Sequence, residues 1–286
     1  MCDNVCKMYW TFHESKPNVY TKATSMELIP HAILHEMSKQ GLFAISGAVA
    51  GSHDRTTVLI PVEAATHNRI IGITAEAITS SSVDDSTDEY YEFPAPNVES
   101  IEICSGIKFI ADFAFAGNEA IKEVVLPPTL LYLGAYSLEC NMLQSIDVPS
   151  SVRYIGEGAF YSCKMLQRCV IPHGVQKILS KTFAQCYSLS AVHLPATLTG
   201  IASEAFAESG LRYISIPEGV QYIESRAFAE CESLFSVSLP RSTNSIADDA
   251  FDPPEINPLL TFYVYPGSYG LMWAREHGYQ VASAEI

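Results

Sequence analysis

Apolar residues recur along this chain with a fixed period. Six segments share a leading leucine or isoleucine, two variable residues, two apolar residues separated by one variable residue, and a closing proline. They are Ile121–Pro127, Leu143–Pro149, Leu166–Pro172, Leu189–Pro195, Leu211–Pro217 and Leu234–Pro240. Successive prolines lie 22, 23, 23, 22 and 23 residues apart. Self-similarity at such a period indicates a repeat architecture and outweighs local propensity.

A second apolar pattern alternates with the first: isoleucine, three variable residues, alanine and phenylalanine. It occurs at Ile110–Phe115, Ile155–Phe160, Ile201–Phe206, Ile223–Phe228 and Ile246–Phe251, and in altered form at Leu133–Leu138 and Ile178–Phe183. Each copy of the repeat therefore has two apolar halves that it cannot bury by itself. Stacked copies bury them as one continuous column, which predicts a solenoid.

The first half of each copy alternates apolar and polar residues, which predicts a short β-strand with one buried side. In Leu143–Pro149, Ile146 and Val148 face the interior and Asp147 faces outward. Proline lacks a backbone donor, so it ends every strand at the same level. The predicted fold class is an α/β repeat, a solenoid with a parallel sheet of short strands and a period of 22–23 residues. Its interior should contain a stacked spine of Phe115, Leu138, Phe160, Phe183, Phe206, Phe228 and Phe251.

The regular repeats and the residues after them define two parts of the chain. Residues 98–254 form the predicted repeat array, and residues 255–286 form a C-terminal cap. We expect a strand at Leu259–Val264 in this cap, followed by a short helix. Ser268 is the predicted N-cap of that helix, and Gly278 lies past its last turn.

Residues 1–97 form an irregular N-terminal region. A degenerate repeat is predicted at 58–82, because terminal copies of a solenoid face solvent on one side and are commonly atypical. Residues 80–97 are rich in aspartate, glutamate and serine, and they are interpreted as an acidic linker. The alternative is a docking segment that uses Tyr90 and Tyr91.

Two groups of residues in the N-terminal region are candidate metal ligands. Cys2, Cys6 and His13 form one, and His31 and His35 share one face of a predicted helix. Two histidines with that spacing can bind zinc, but the metalloprotease pattern places a glutamate between its ligands. The sequence here is His-Ala-Ile-Leu-His-Glu, and no third ligand is apparent. We therefore favour polar residues on a surface helix and expect no metal or other cofactor.

Four of the eight cysteines recur at one position of the repeat, after the alanine–phenylalanine pair. They are Cys140, Cys163, Cys186 and Cys231, and Asn118 and Ser209 occupy the same position in other copies. A position that accepts Cys, Asn or Ser fits a small side chain that bonds to a buried turn backbone. Neighbouring positions are one strand spacing apart, so distance does not exclude a disulfide, but free thiols are the favoured state.

Composition and charge exclude several classes of protein. The chain is 48% hydrophobic and 17% charged, with a net charge of −15. Nucleic-acid binding needs a basic surface, so it is not expected. No apolar run approaches the roughly 18 residues of a membrane span, so membrane insertion is not expected either. The N-terminus lacks a basic stretch followed by an apolar stretch, so no signal peptide is visible.

The two repeat patterns, with the cysteine that follows them, resemble the BspA-like, Treponema-type leucine-rich repeat. The resemblance covers about residues 98–266, and Val264–Tyr279 is similar to the strand–helix cap of such arrays. It implies a leucine-rich-repeat solenoid that acts in adhesion or protein binding, often at a cell surface or after secretion. It implies no enzymatic activity and no catalytic residues. The compartment and the oligomeric state stay open.

Stacking turns each position of the repeat into a row of side chains. Two outward rows follow the leucine-led strands, Glu102, Val125, Asp147, Val170, His193, Ser215, Ser238 and Tyr263, and Ser100, Glu123, Ser145, Arg168, Ala191, Tyr213, Ser236 and Thr261. A third row is Phe109, Tyr132, Tyr154, Lys177, Gly200, Tyr222 and Ser245. Tyrosine and arginine dominate binding hot spots, so large residues in these rows are the best interface candidates. The predicted partner-binding residues are Tyr132, Tyr154, Arg168, Lys177, His193, Tyr213 and Tyr222.

The alternative for these residues is structural: they cover the edge of the core and stabilise strand pairing by about 0.2–1 kcal/mol each. At the level of the whole chain, the main hypothesis is a non-enzymatic scaffold that binds a protein through its strand face. The second is a spacer that presents the N-terminal region. The third, a metal-dependent enzyme built on residues 1–97, lacks the sequence signatures of known catalytic sites.

Overall fold

The computed structural model describes residues 43–45, 57–60, 70–73, 99–103, 108–110, 112, 114–140 and 142–284. The predictions for Cys2, Cys6, His13, His31, His35 and the acidic linker lie outside these residues. Within them the chain forms a parallel-strand solenoid of two strand series and one short helix, which confirms the predicted fold class. In chain order the strands are β1 (Phe43–Ile45), β2 (Thr57–Ile60), β3 (Ile70–Ile73), β4 (Ser100–Ile103), β5 (Phe109–Ile110), β6 (Glu123–Val125), β7 (Tyr132–Leu133), β8 (Tyr154–Ile155), β9 (Arg168–Val170), β10 (Lys177–Ile178), β11 (Ala191–His193), β12 (Gly200–Ile201), β13 (Tyr213–Ser215), β14 (Tyr222–Ile223), β15 (Ser236–Ser238), β16 (Ser245–Ile246), β17 (Thr261–Val264) and β18 (Gln280–Ser283).

The first strand series comes from the leucine-led half of each copy. It contains β2, β4, β6, β9, β11, β13, β15, β17 and β18, and every described pairing within it is parallel. A single bridge between Glu123 and Ser145 represents the copy between β6 and β9. We call the outward side of β9, β11, β13, β15 and β17, with the residue just before each strand, the strand face.

The second strand series comes from the other half of each copy. It contains β1, β3, β5, β7, β8, β10, β12, β14 and β16, which also pair in parallel. Ile155 and Ile178 of this series and Cys169 and Ile214 of the first belong to one buried core cluster. The two series therefore line a common core from two sides, and their outward side chains point in different directions.

Strand pairing extends N-terminal to the regular repeats. Val58 of β2 pairs with Ile101 of β4, and Gly72 of β3 pairs with Phe109 of β5. Both contacts have the register of a repeat copy, in the stretch where the sequence predicts a degenerate one. The boundaries of the three predicted parts of the chain stay a prediction.

Phenylalanine rings form a stack through the interior. The centroid distances are 5.1 Å for Phe160–Phe183, 5.4 Å for Phe183–Phe206, 5.1 Å for Phe206–Phe228 and 4.8 Å for Phe228–Phe251. The rings are within 9° of parallel, and all five are buried. Such offset stacks are favourable beyond simple burial. The predicted inward spine is confirmed for these residues.

The repeated cysteines bond to the backbone of the preceding copy. The thiols of Cys163, Cys186 and Cys231 donate to the carbonyls of Leu138, Phe160 and Phe206, with Sγ–O distances of 3.0, 3.1 and 3.1 Å. In another copy the Asn118 side-chain oxygen accepts from the backbone N–H groups of Ala120 and Ile121. These cysteines are free thiols, as the sequence favoured.

The array ends in a helix and a further strand. Helix α1 (Tyr269–Glu276) begins at Ser268, whose hydroxyl accepts from the backbone N–H of Leu271 at 3.2 Å. Its Trp273 packs against Phe262 and against Phe251, the last ring of the stack. The chain then forms β18, which pairs in parallel with β17. This last strand was not predicted, because Gln280–Ser283 has neither the leading leucine nor the proline of the repeat.

Candidate protein-binding surface

The strand face alternates between buried and exposed side chains. In β9, Arg168 and Val170 are exposed and Cys169 is buried between them, and β13 repeats this order with Tyr213, Ile214 and Ser215. Period-two alternation is what a strand with one side in the core imposes. The buried members hold the array together, so the exposed members are free to contact another molecule.

Large apolar side chains are exposed on this face. Val170 is 58% exposed, Tyr213 55%, Phe235 51% and Tyr263 41%. A single exposed apolar residue needs no explanation, but several on one face indicate an interaction surface. Phe235 directly precedes β15, so a search restricted to the alternating strand positions misses it.

Small residues lie between the large ones. Along the row that pairs β9 with β11 and β13 with β15, Ala191 lies beside Arg168 and Ser236 lies beside Tyr213. In the parallel row Ser238 pairs with Tyr263. Strands are about 4.8 Å apart, so these small residues leave gaps about one side chain wide between raised neighbours. The strand face therefore has protruding side chains separated by gaps.

The strand face carries two arginines and no acidic side chain. Strands β9, β11, β13, β15 and β17 contain no aspartate or glutamate, while Arg168 lies in β9 and Arg212 directly precedes β13. Both arginines are exposed, and in the described part of the chain neither forms an ion pair or lies over an aromatic ring. The two preceding copies carry Glu123 and Asp147 at the corresponding rows. The sign of the charge thus changes along the first strand series, from acidic in the copies before β9 to basic on the strand face.

The aromatic residues of the second series are largely engaged with each other. The Tyr132 and Tyr154 rings stack at 4.7 Å with an angle of 6°, and Tyr132 is only 2% exposed. Desolvation raises the pKa of Tyr132 above its ordinary value, and the charge of buried Asp112 adds to the shift. The placement of Tyr132 agrees with the structural alternative, in which the row covers the edge of the core.

Lys177 and Tyr222 meet across a glycine in the same row. The Lys177 ammonium lies 5.9 Å from the Tyr222 ring centroid, and Gly200 pairs with both residues. A Cβ on Gly200 would come within 2.0 Å of the Tyr222 ring, so only glycine permits this arrangement. The contact supplies a cation–π interaction at the outer limit of its useful distance.

The predicted residues thus fall on two surfaces. Arg168, His193 and Tyr213 lie together on the strand face, and the structure adds Arg212 and Phe235 beside them. The other four predicted residues, Tyr132, Tyr154, Lys177 and Tyr222, belong to the second series. They do not join the strand face in one site, and binding by any of them stays a prediction.

Two clefts in the described part of the chain differ from the open strand face. Two clefts lie at the C-terminal cap, one of about 390 Å³ lined by Arg241, Tyr265 and Ser283, and one of about 490 Å³ beside Leu271 and Met272. No group of three or more metal-ligating side chains comes together among the described residues. No helix in the described ranges is long and apolar enough to cross a membrane.

A stacked parallel sheet built from leucine-led strands defines the class of leucine-rich-repeat solenoids. The sequence matches the family described as BspA type leucine rich repeat region, in 6 copies, over residues 88–212 and 199–259. These segments cover more than half of the chain, and the chain belongs to this family. No curated protein matches the sequence.

The chain is similar to several solved structures of leucine-rich repeat proteins. The chain is similar to the T. pallidum leucine rich repeat protein, with 17% identity, a TM-score of 0.51, and coverage of 86% of this chain and 95% of that one. A leucine-rich repeat protein from Bacteroides ovatus has 19% identity and a TM-score of 0.45, with coverage of 76% of this chain and 66% of that one. A leucine rich cell surface protein from Faecalibacterium prausnitzii has 16% identity and a TM-score of 0.35, with coverage of 84% and 91%. The T. pallidum likeness shows the fold alone.

Proposed function

We propose that this chain is a non-enzymatic scaffold that binds a partner protein through its strand face. The observation that carries the proposal is the exposure of Val170, Tyr213, Phe235 and Tyr263 along the strand face. The buried residues of these strands hold them in place. Folding therefore does not require large apolar side chains at the exposed positions. Rigid presentation also limits the entropy lost on binding.

Membership of a repeat family supports the same proposal. Solenoids offer extended surfaces on which each copy adds one set of side chains, and such surfaces suit protein partners better than small molecules. We further propose that binding serves adhesion or contact with a host or another partner, at a cell surface or after secretion. That part rests on the family resemblance.

Site-specific photocrosslinking tests the proposal on the full chain. A photoreactive amino acid at Ser215 would lie on the strand face, and the same residue at Asn244, which is exposed between the strand series, serves as the control. We expect one defined protein to crosslink from Ser215 and not from Asn244, and to be lost when Tyr213→Ala is added. Identical products from both positions, or products that survive Tyr213→Ala, would contradict binding through this face. The alternative of a spacer would then be favoured.

A further inference from the structure

We infer that the partner contacts the strand face through an acidic segment that also carries aromatic or aliphatic side chains. Arg168 and Arg212 would hold its carboxylates, while Tyr213 and Phe235 would cover its apolar side chains. This inference rests on the proposed function, because it names the chemistry of the protein that the strand face binds.

The charge distribution is the first support. The chain has a net charge of −15, yet its acidic side chains are excluded from β9 through β17 along the strand face. Glu204, Glu208 and Glu230 lie instead in the turns of the second half of their copies, where Glu204 and Glu230 pair with basic residues. Arg168 and Arg212 have no such partner in the described structure. A guanidinium without an internal partner can form a two-pronged bond to a carboxylate of another molecule.

The spacing of the two arginines is the second support. They belong to copies two strands apart, and backbone hydrogen bonds link this edge of the sheet from Gln167 through Ser190 to Arg212. Two strand spacings amount to about 10 Å, and side chains four residues apart lie on one side of an extended peptide about 13 Å apart, a difference that long arginine side chains can span. An extended segment that crosses the strands can therefore present one carboxylate to each arginine. Ala191, between the two copies, leaves room for it.

The apolar neighbours distinguish a peptide from other anions. Phe235 lies in the copy after Arg212, and Val170 lies two residues after Arg168, so each arginine has an exposed apolar side chain nearby. A nucleic acid or an acidic polysaccharide would extend beyond this patch. The rest of this strongly acidic protein would repel the negative charges of such a ligand. A short acidic and apolar segment satisfies both the arginines and their neighbours.

Fluorescence anisotropy with defined peptides tests the inference on the full chain. The probe is a labelled peptide in which pairs of glutamates alternate with pairs of phenylalanines, so that each side of the extended peptide carries both residue types. Its matched control has glutamine in place of every glutamate. We expect binding of the glutamate peptide that weakens about tenfold or more in Arg168→Glu and in Arg212→Glu, the scale of a hot-spot arginine. Lys181→Glu changes the net charge equally but lies in a turn of the second half of its copy, so it should change binding less than about twofold because distant exposed charges are screened.

The outcomes separate the inference from the proposed function. Equal binding of the two peptides, or equal effects of Arg212→Glu and Lys181→Glu, would overturn the acidic segment. If Tyr213→Ala still abolished the crosslink from Ser215, the protein-binding scaffold would stand. Heparin that bound more tightly than the peptide and depended on the same two arginines would also overturn the inference, since the occupant would then be a polysaccharide.

Discussion

Removal of one ring from the phenylalanine stack tests the physical basis of the solenoid. Phe183 is completely buried and stacks on Phe160 at 5.1 Å and on Phe206 at 5.4 Å. Phe183→Ala loses the transfer free energy of the ring and leaves a cavity, and Phe→Ala changes of this kind cost about 3–5 kcal/mol. The loss of two stacking contacts, each worth about 0.5–1.5 kcal/mol, places the expected value in the upper part of that range.

Urea denaturation followed by circular dichroism measures this change in the free energy of unfolding. Phe235→Ala is the matched control, because Phe235 is half exposed on the strand face and should cost less than about 0.5 kcal/mol. Hydrogen exchange should show that protection falls most in the copies that contain Phe160 and Phe206, since each repeat contacts only its neighbours. A loss below about 1 kcal/mol for Phe183→Ala, or equal losses for the two variants, would refute the stacked core.

Three further predictions concern a glycine, a buried carboxyl group and the thiols. Gly200→Ala should destabilise the chain by about 1–3 kcal/mol through overlap with the Tyr222 ring. The double variant Gly200→Ala/Tyr222→Ala should recover part of this loss, as measured by calorimetry. Burial raises the pKa of Asp112, although a backbone bond from Ala135 opposes the shift, so the folded state binds the proton more tightly than the unfolded state. The contribution of Asp112 to stability is therefore fully present below the ordinary carboxyl pKa and is lost as the pH rises through the raised pKa. In denaturant melts, Asp112→Asn should therefore gain stability relative to the wild type as the pH rises from about 4 to about 7. Burial raises the pKa of Cys163 to about 12, so iodoacetamide at neutral pH should leave this thiol unmodified in the folded protein and label it in urea, as peptide mass spectrometry would show. Labelling of Cys163 at equal rates in the folded and the unfolded state would contradict the burial of this thiol.

Most of the fold follows from the repeat itself. The period of the prolines and the alternation around Ile146 and Ile214 are local features, and a strand with one apolar side can be satisfied only by stacking against another copy. The spine of phenylalanines follows for the same reason. Strand β18 could not be predicted, because Gln280–Ser283 pairs with β17 only after helix α1 has returned the chain to the edge of the sheet.

The candidate surface depends more strongly on the three-dimensional structure. Sequence alternation predicts that Arg168, His193 and Tyr213 face outward, and all three are exposed in the structure. The same reasoning treats Tyr132 as an outward residue, whereas its ring is stacked on Tyr154 and buried. The exposure of a side chain depends on the size of its neighbours in adjacent copies. The alternation of residues within one strand carries no information about those neighbours.

The amino-acid sequence by itself determined the repeating unit, the direction in which its strands stack and the apolar column inside, because each follows from residues close together in one copy. Only the tertiary structure decided which outward side chains reach solvent and which charges find partners. Those properties depend on pairs such as Gly200 with Tyr222, which lie 22 residues apart and meet only when the copies stack. In the described part of the chain Arg168 and Arg212 have no ion-pair partner and share the strand face with the exposed Tyr213 and Phe235, and the proposed binding surface depends on this arrangement.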